Sequence, residues 1–270
     1  MPQGEKSDIN FWNDFTGMIS THVPAAEGDD LGGGVALIGV NEGSYTYLAD
    51  EPGGVIHITT DTGDNDNHAL VAGVFQPAQG GIQMTVRFKL ADLAATNAAF
   101  WAGFTETLAL DTPVMPSKRA TATTTYTGSG GMLGVMFDSD STILELFAVA
   151  GDGGAAIATK DKNGTVGDAD GIQITGALGV YSSKTILTAD RWYIVRVEIA
   201  ENGKGRIYFG GYDGGASDKQ RMELVAENTT ALGTTDNFHA VALVENRAGG
   251  AEVLEADYFG GHGNRDWSAN

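Results

Sequence analysis

Two stretches decide the fold: GGIQMTVRFKL (Gly80–Leu90) and RWYIVRVEIAENGKGRIYFGG (Arg191–Gly211). In the first, Ile82, Met84, Val86, Phe88 and Leu90 alternate with Gln83, Thr85, Arg87 and Lys89. In the second, Tyr193, Val195, Val197 and Ile199 share a face. Asn202-Gly203 then marks a turn, and Ile207 and Phe209 resume the apolar face. An apolar period of two residues, bounded by Gly- and Asn-rich turns, means antiparallel strands with one buried face. Val86, Phe88, Val195, Val197, Ile207 and Phe209 are therefore expected between two sheets.

Similar signals run outward from these strands. VALIGV (Val35–Val40), SYTYLA (Ser44–Ala49), GVIHITT (Gly54–Thr60), HALVAGVF (His68–Phe75) and AFWAGFTE (Ala99–Glu106) precede or flank the first. MLGVMFD, ILELFAVA, ALGVYSS, RMELVAE, FHAVALVEN and EVLEADYF complete the set. ALDTPVMPSKRATATTTYTGSGG (Ala109–Gly131), with two prolines and a threonine cluster, reads as an exposed loop. A second loop spans the turn-rich Gly151–Gly171. FKLADLAATNAAF has room for one short helical turn and no more. Even strand spacing predicts one β-sandwich domain over 31–262, an N-terminal arm over 1–30 and a tail over 263–270. The arm carries Phe11, Trp12 and Phe15 ahead of a Gly-rich hinge, EGDDLGGG. Three aromatics this close must be buried, either by closing one end of the sandwich or at an interface with another subunit.

A chain of 270 residues suits one large sandwich. The net charge of -19 comes from 35 acidic and 16 basic residues, and it repels phosphate backbones and anionic lipid surfaces. Neither nucleic acid nor membrane is expected as a partner. Cysteine is absent, so no disulfide contributes. MPQGEKSDINFW lacks the basic and apolar regions of a secretory signal, and folding in a reducing cytoplasm is expected.

The order of segments resembles the concanavalin A-like jelly roll, the lectin/glucanase and laminin-G-like sandwich. NDFTG (Asn13–Gly17) resembles its opening strand and LEADYF (Leu254–Phe259) its closing one. The Trp192–Ile199 strand, its turn and the short apolar strand after it are the most specific match. Within that superfold the chain resembles capsid decoration (auxiliary head) proteins of tailed phages. The shared pattern is F-x-P…G-x-x-x-x-V-R-F-K-L…F-x-x-G-F-x-E, matched by Phe75, Pro77, Arg87, Phe88, Phe104 and Glu106. The resemblance implies a virion location on the capsid exterior, the major capsid protein as partner, and a homo-oligomer.

Chemistry is sparse. Glycosidases of this fold carry E-x-D-x-x-E on one strand, and retaining hydrolysis needs two carboxylates about 5 Å apart. Here Glu255 and Asp257 alternate onto one face, but Gly260 stands where the third acid belongs, so no catalytic residue is assigned. DTGDNDN (Asp61–Asn67) offers Asp61, Asp64 and Asp66 as the one candidate Ca²⁺ cluster, although an Asx-rich turn needs no metal. His22, His57, His68, His239 and His262 are scattered and form no H-E-x-x-H. Ser129 in TGSGG does not make a nucleophile elbow. Trp101, Trp192, Tyr126 and Trp267 are candidates for stacking on sugars, and Tyr126 and Trp267 are the better surface positions. No cofactor is implied. The leading expectation is a non-enzymatic virion structural protein that decorates or stabilises a phage capsid. The alternatives are a carbohydrate-binding adhesin module of a phage fibre, with a host surface glycan as partner, and a divergent glucanase-like hydrolase.

Overall fold

The computed structural model describes residues 7–16, 21–24, 28–39, 43–48, 54–90, 97–109, 113–141, 146–174, 187, 191–211, 221–247 and 249–265. Their strands, in chain order, begin with β1 (Ser7–Asn13), β2 (Asp29–Gly32), β3 (Val35–Gly39), β4 (Ser44–Tyr47) and β5 (Ile56–Thr59). They continue with β6 (Asn67–Phe75), β7 (Ile82–Leu90), β8 (Ala98–Thr105), β9 (Ser117–Ala120) and β10 (Thr123–Tyr126). Next come β11 (Met132–Asp138), β12 (Phe147–Asp152), β13 (Ala155–Ile157), β14 (Thr159–Lys160) and β15 (Ile172–Gln173). The last are β16 (Tyr193–Ile199), β17 (Gly205–Gly211), β18 (Arg221–Asn228), β19 (Phe238–Asn246) and β20 (Val253–Arg265). Among the described residues the helical content is a single 3-10 turn, Pro77–Gln79.

Sheet A has the order β14-β18-β17-β16-β7-β20-β5-β4, with β1 paired to β20. Sheet B has the order β13-β12-β11-β8-β19-β6-β3-β2, with β15 paired to β12. Every strand pair within the sheets is antiparallel. This is an all-β, antiparallel two-sheet sandwich.

The alternation in β7 is obeyed in full: Ile82, Met84, Val86, Phe88 and Leu90 are buried and the residues between them half-buried. The ladder sets Met84, Val197 and Ile207 in one row across β7, β16 and β17. Val86, Phe88, Val195, Val197, Ile207 and Phe209 all lie in the inter-sheet core. Phe88 stacks on Phe100 of the opposite sheet, with ring centroids 4.2 Å apart.

Sheet B departs from the one-sided pattern. In β8, Phe100, Ala102 and Phe104 face the inter-sheet core, while Ala99 and Trp101 belong to a second apolar cluster. That cluster includes Ile38, Val71, Met136, Phe147, Val149 and Leu243 from neighbouring strands, and Met115 from the segment that covers them. The expectation of an exposed loop over Ala109–Gly131 is thereby corrected. Strands β9 and β10 form a separate two-stranded sheet, and Met115, Ser117, Arg119 and Thr124 are buried. The physical reason is that an apolar outer face left in water is unfavourable, so a proline- and threonine-rich segment closes over it.

The N-terminal arm is corrected in part as well. β1 pairs with β20 from Ser7↔Arg265 to Asn13↔Phe259. Phe11 and Phe15 are buried, and Phe11 packs on Phe75 and Phe259 with centroid distances of 5.6 and 5.3 Å. These two aromatics close the sandwich, and the strand register holds them there. β20 runs to Arg265, three residues into the expected tail. Trp267 and the expected strand ALGVYSS lie outside the described residues, as does 91–96 of the Phe88–Phe100 segment expected to hold a short helical turn, whose ends belong to β7 and β8.

Val197→Asp is expected to prevent folding. It would place an unpaired carboxylate where the side chain is 0% exposed, at a cost on the order of 3–5 kcal/mol. Soluble protein with a cooperative denaturant transition would show that this strand does not lie in the core.

Candidate functional site

β20 carries the carboxylates considered for hydrolysis. A bulge between Ala256 and Tyr258 lets two residues, Asp257 and Tyr258, stand near Arg87. Glu255 lies opposite Lys89 on one side and His57 on the other. Its Oε1 is 3.1 Å from His57 Nδ1 and its Oε2 2.5 Å from Lys89 Nζ. Burial acts to raise the Glu255 pKa. The hydrogen bonds and charges of His57 and Lys89 outweigh it and hold the carboxyl below its usual range. A general acid needs the opposite shift. Asp257 is paired with Arg87. Gly260 has a packing role: a Cβ there would lie 2.3 Å from Cε3 of Trp12, so the indole occupies the space of the missing acid.

The structure does not gather Asp61, Asp64 and Asp66 around a common point. Asp64 is exposed, Asp66 is buried, and the turn is tied by backbone bonds between Asn65, Asp66 and Asn246. Asn246 Nδ2 donates to the Asp61 carbonyl at 3.1 Å. Among the described residues no three His, Asp or Glu side chains are grouped as metal ligands.

The aromatics fall into different roles than their sequence context implied. Trp101 is fully buried beneath the β9–β10 hairpin. Tyr126 packs on the same cluster and donates to the Ala169 carbonyl at 2.9 Å. Trp192 is half-buried, with the Arg87 guanidinium 4.4 Å and the Lys89 ammonium 5.2 Å from its ring centroid. Trp12 alone among the described tryptophans is strongly exposed, at 55%, and it stacks on Tyr258 with centroids 5.1 Å apart.

The residues of the resemblance pattern serve the fold. Phe75, Phe88 and Phe104 lie in the main core. Glu106 Oε2 accepts the Gly131 amide at 2.9 Å, tying the end of β8 to the start of β11.

One constellation was not anticipated. Asp138, Ala99, Glu245 and Asn67 form a transverse row across β11, β8, β19 and β6, all on the outer face of sheet B. Arg247 grips Asp138 with two bonds, Nε–Oδ1 at 3.1 Å and Nη2–Oδ2 at 2.5 Å, and reaches Glu245 Oε1 at 2.6 Å. Lys118 of β9 approaches Glu245 at 3.0 Å, and the Arg119 amide donates to Asp138 at 2.7 Å. Small Ala99 leaves room between the two acids. The hairpin is thus latched over the sheet by charge. The signal was present as Glu245 and Arg247, alternating outward at the end of an apolar strand, but their partners are over 100 residues away.

His68 points the other way, into the core side of β6, and is fully buried. Neither ring nitrogen has a hydrogen-bond partner among the described residues. A Cβ on Gly39 or Gly43 would meet the ring at 2.3 or 2.1 Å, so both positions are kept bare for it. Burial pushes its pKa down to about 4, against a small upward pull from Asp66. Burial lowers the pKa of His239 too.

No family model matches the chain, and no curated protein matches its sequence. Among solved structures, a protein of unknown function from Shewanella oneidensis MR-1 is similar at TM-score 0.55 and 14% identity, covering 100% of this chain and 90% of that one. This is a likeness of fold. The exoplasmic/lumenal domain of VIP36 in its Ca²⁺-bound form gives TM-score 0.47 and 10% identity, with 92% and 93% covered. A carbohydrate esterase from the Shiga toxin-encoding bacteriophage phi24B gives 0.41 and 16%, with 86% and 91% covered.

Arg247→Met is expected to destabilise the fold by roughly 3–5 kcal/mol, because it leaves buried Asp138 without its guanidinium partner and buried Glu245 with Lys118 alone. Urea unfolding measures this, and a loss under about 1 kcal/mol would show that the latch is solvated. The His68 ring is kept neutral in the fold and titrates normally when unfolded. Stability is therefore full above pH 6.5 and falls as pH drops toward 4. By pH 4.5 the loss is roughly 2–3 kcal/mol. His68→Leu is expected to flatten this part of the curve, and an unchanged slope between pH 6.5 and 4.5 would refute it.

Proposed function

We propose that this chain is a non-enzymatic structural protein of a tailed-phage particle, bound as a homo-oligomer to the major capsid protein on the outer surface of the head. The observation that carries this reading is the sealed outer face of sheet B. Enzymes and small-ligand binders need a concave, open site with a few convergent polar groups. Here the segment carrying Met115 and Tyr126 closes over the apolar outer face of sheet B, and the polar row at its end is engaged in mutual ion pairs. Glu255 in turn is engaged by Lys89 and His57. The pattern shared with capsid decoration proteins supports the same reading. So does the charge of -19, which would keep particles apart in suspension.

The carbohydrate-binding module remains the second reading, favoured by the exposed Trp12–Tyr258 pair. A hydrolase has less support, since the strand that would carry its acids holds Gly260 under an indole.

The test is co-sedimentation of the purified chain with heads assembled from the major capsid protein of the same genome. Saturable binding at a fixed ratio per capsid subunit is expected. No binding, or a genome without a capsid gene, overturns the reading. Release of reducing sugar from a β-glucan that is lost in Glu255→Gln overturns its non-enzymatic part.

A further inference from the structure

The outer face of sheet A presents two neighbouring rows of side chains. One row runs Trp12, Gly260, Thr85, Arg196 and Tyr208 across β1, β20, β7, β16 and β17. The next runs His262, Gln83, Glu198 and Arg206 across β20, β7, β16 and β17. Two residues along a strand separate the rows, a distance of about 7 Å. The second row lines a depression of about 190 Å³ together with Gly80, Gly81 and Lys204.

The orientation of Trp12 follows from its neighbours. Tyr258 covers one face of the indole, nearly parallel at 17°. Tyr258 precedes Gly260 on β20 and His262 follows it, so the opposite face of the indole looks along the strand toward the depression. Its 55% exposure is the largest of any described aromatic core-type side chain. Across the sheet from it stand groups of every hydrogen-bonding kind: the His262 ring on the next strand, the Gln83 amide two strands away, and then the Glu198 carboxylate and the Arg206 guanidinium, three and four strands away. Glu198 and Arg206 are braced by Arg196 and Glu227.

We propose that this surface is a saccharide-binding site. A pyranose has an apolar C–H face that suits an aromatic ring, and hydroxyls that both donate and accept. The arrangement offers an open indole face next to a small depression with mixed donors and acceptors and no dominant charge. One sugar unit packs on Trp12, the adjoining unit places its hydroxyls against His262 and Gln83, and further units of a longer chain reach Glu198 and Arg206. A disaccharide or longer chain therefore binds better than a monosaccharide. The site names a surface for the carbohydrate-binding reading and is independent of capsid attachment, which co-sedimentation with heads tests separately.

The experiment is an array of hexose and N-acetylhexosamine oligosaccharides probed with the full chain, followed by calorimetry on the best binder and its monosaccharide. Binding with Kd below about 1 mM is expected, tighter for the oligosaccharide. Trp12→Ala is expected to weaken it by about tenfold or more, as is Gln83→Ala, with Trp12→Phe retaining most of it. An unchanged unfolding midpoint in each variant assigns the loss to the site. No binder at about 10 mM ligand, or equal binding by Trp12→Ala, overturns the proposal. So does dissociation of an oligomer by Trp12→Ala with no saccharide bound, since Trp12 would then be a protein contact.

Discussion

Everything in this molecule depends on covering the outer face of sheet B. A two-layer sandwich normally buries one face of each sheet and leaves the other in water. Here Ala99, Trp101, Met136, Val149 and Leu243 make the second face apolar too. Water contact across it would weaken the fold and invite association. The segment through β9 and β10 removes that contact.

The cover is held by electrostatics as well as by burial. Asp138 and Glu245 sit on strands separated only by β8, where two buried acids would repel. Arg247 bridges them, and Lys118 and the Arg119 amide bring in the hairpin. Removing the basic partner from such a network costs far more than its net contribution when intact, because the acids cannot regain water. The latch therefore ties the position of the hairpin to the integrity of the sheet.

Sheet A is the opposite case. Its outward side chains pair locally: Arg87 with Asp257 and Arg206 with Glu227 partly in water, and Lys89 with the buried Glu255. The partly exposed pairs add little stability each. Their effect is to fix the orientation of a polar surface beside Trp12 and Tyr258. The exposed polar chemistry is on this face, while the apolar content of the other face is spent on folding.

The alternation in Ile82–Leu90 and Tyr193–Ile199 determined the sheets, their buried faces and the sandwich class, because a period of two needs no distant information. The jelly-roll resemblance was legible for the same reason, through strand order. Local pattern did not determine what happens when a face is covered. The segment Ala109–Gly131 has the composition of a loop, and only the apolar face of sheet B makes it a lid. Phe11 and Phe15 could close the sandwich or dock on another subunit, and the pairing of β1 with β20 decides for the sandwich. Gly260 read as a missing acid, whereas the tertiary structure makes it the bed of Trp12. The latch of Asp138, Glu245 and Arg247 joins residues more than 100 positions apart. Sequence decides which side of a strand is apolar; only packing decides what lies against it, since the partners meet through the fold and not along the chain.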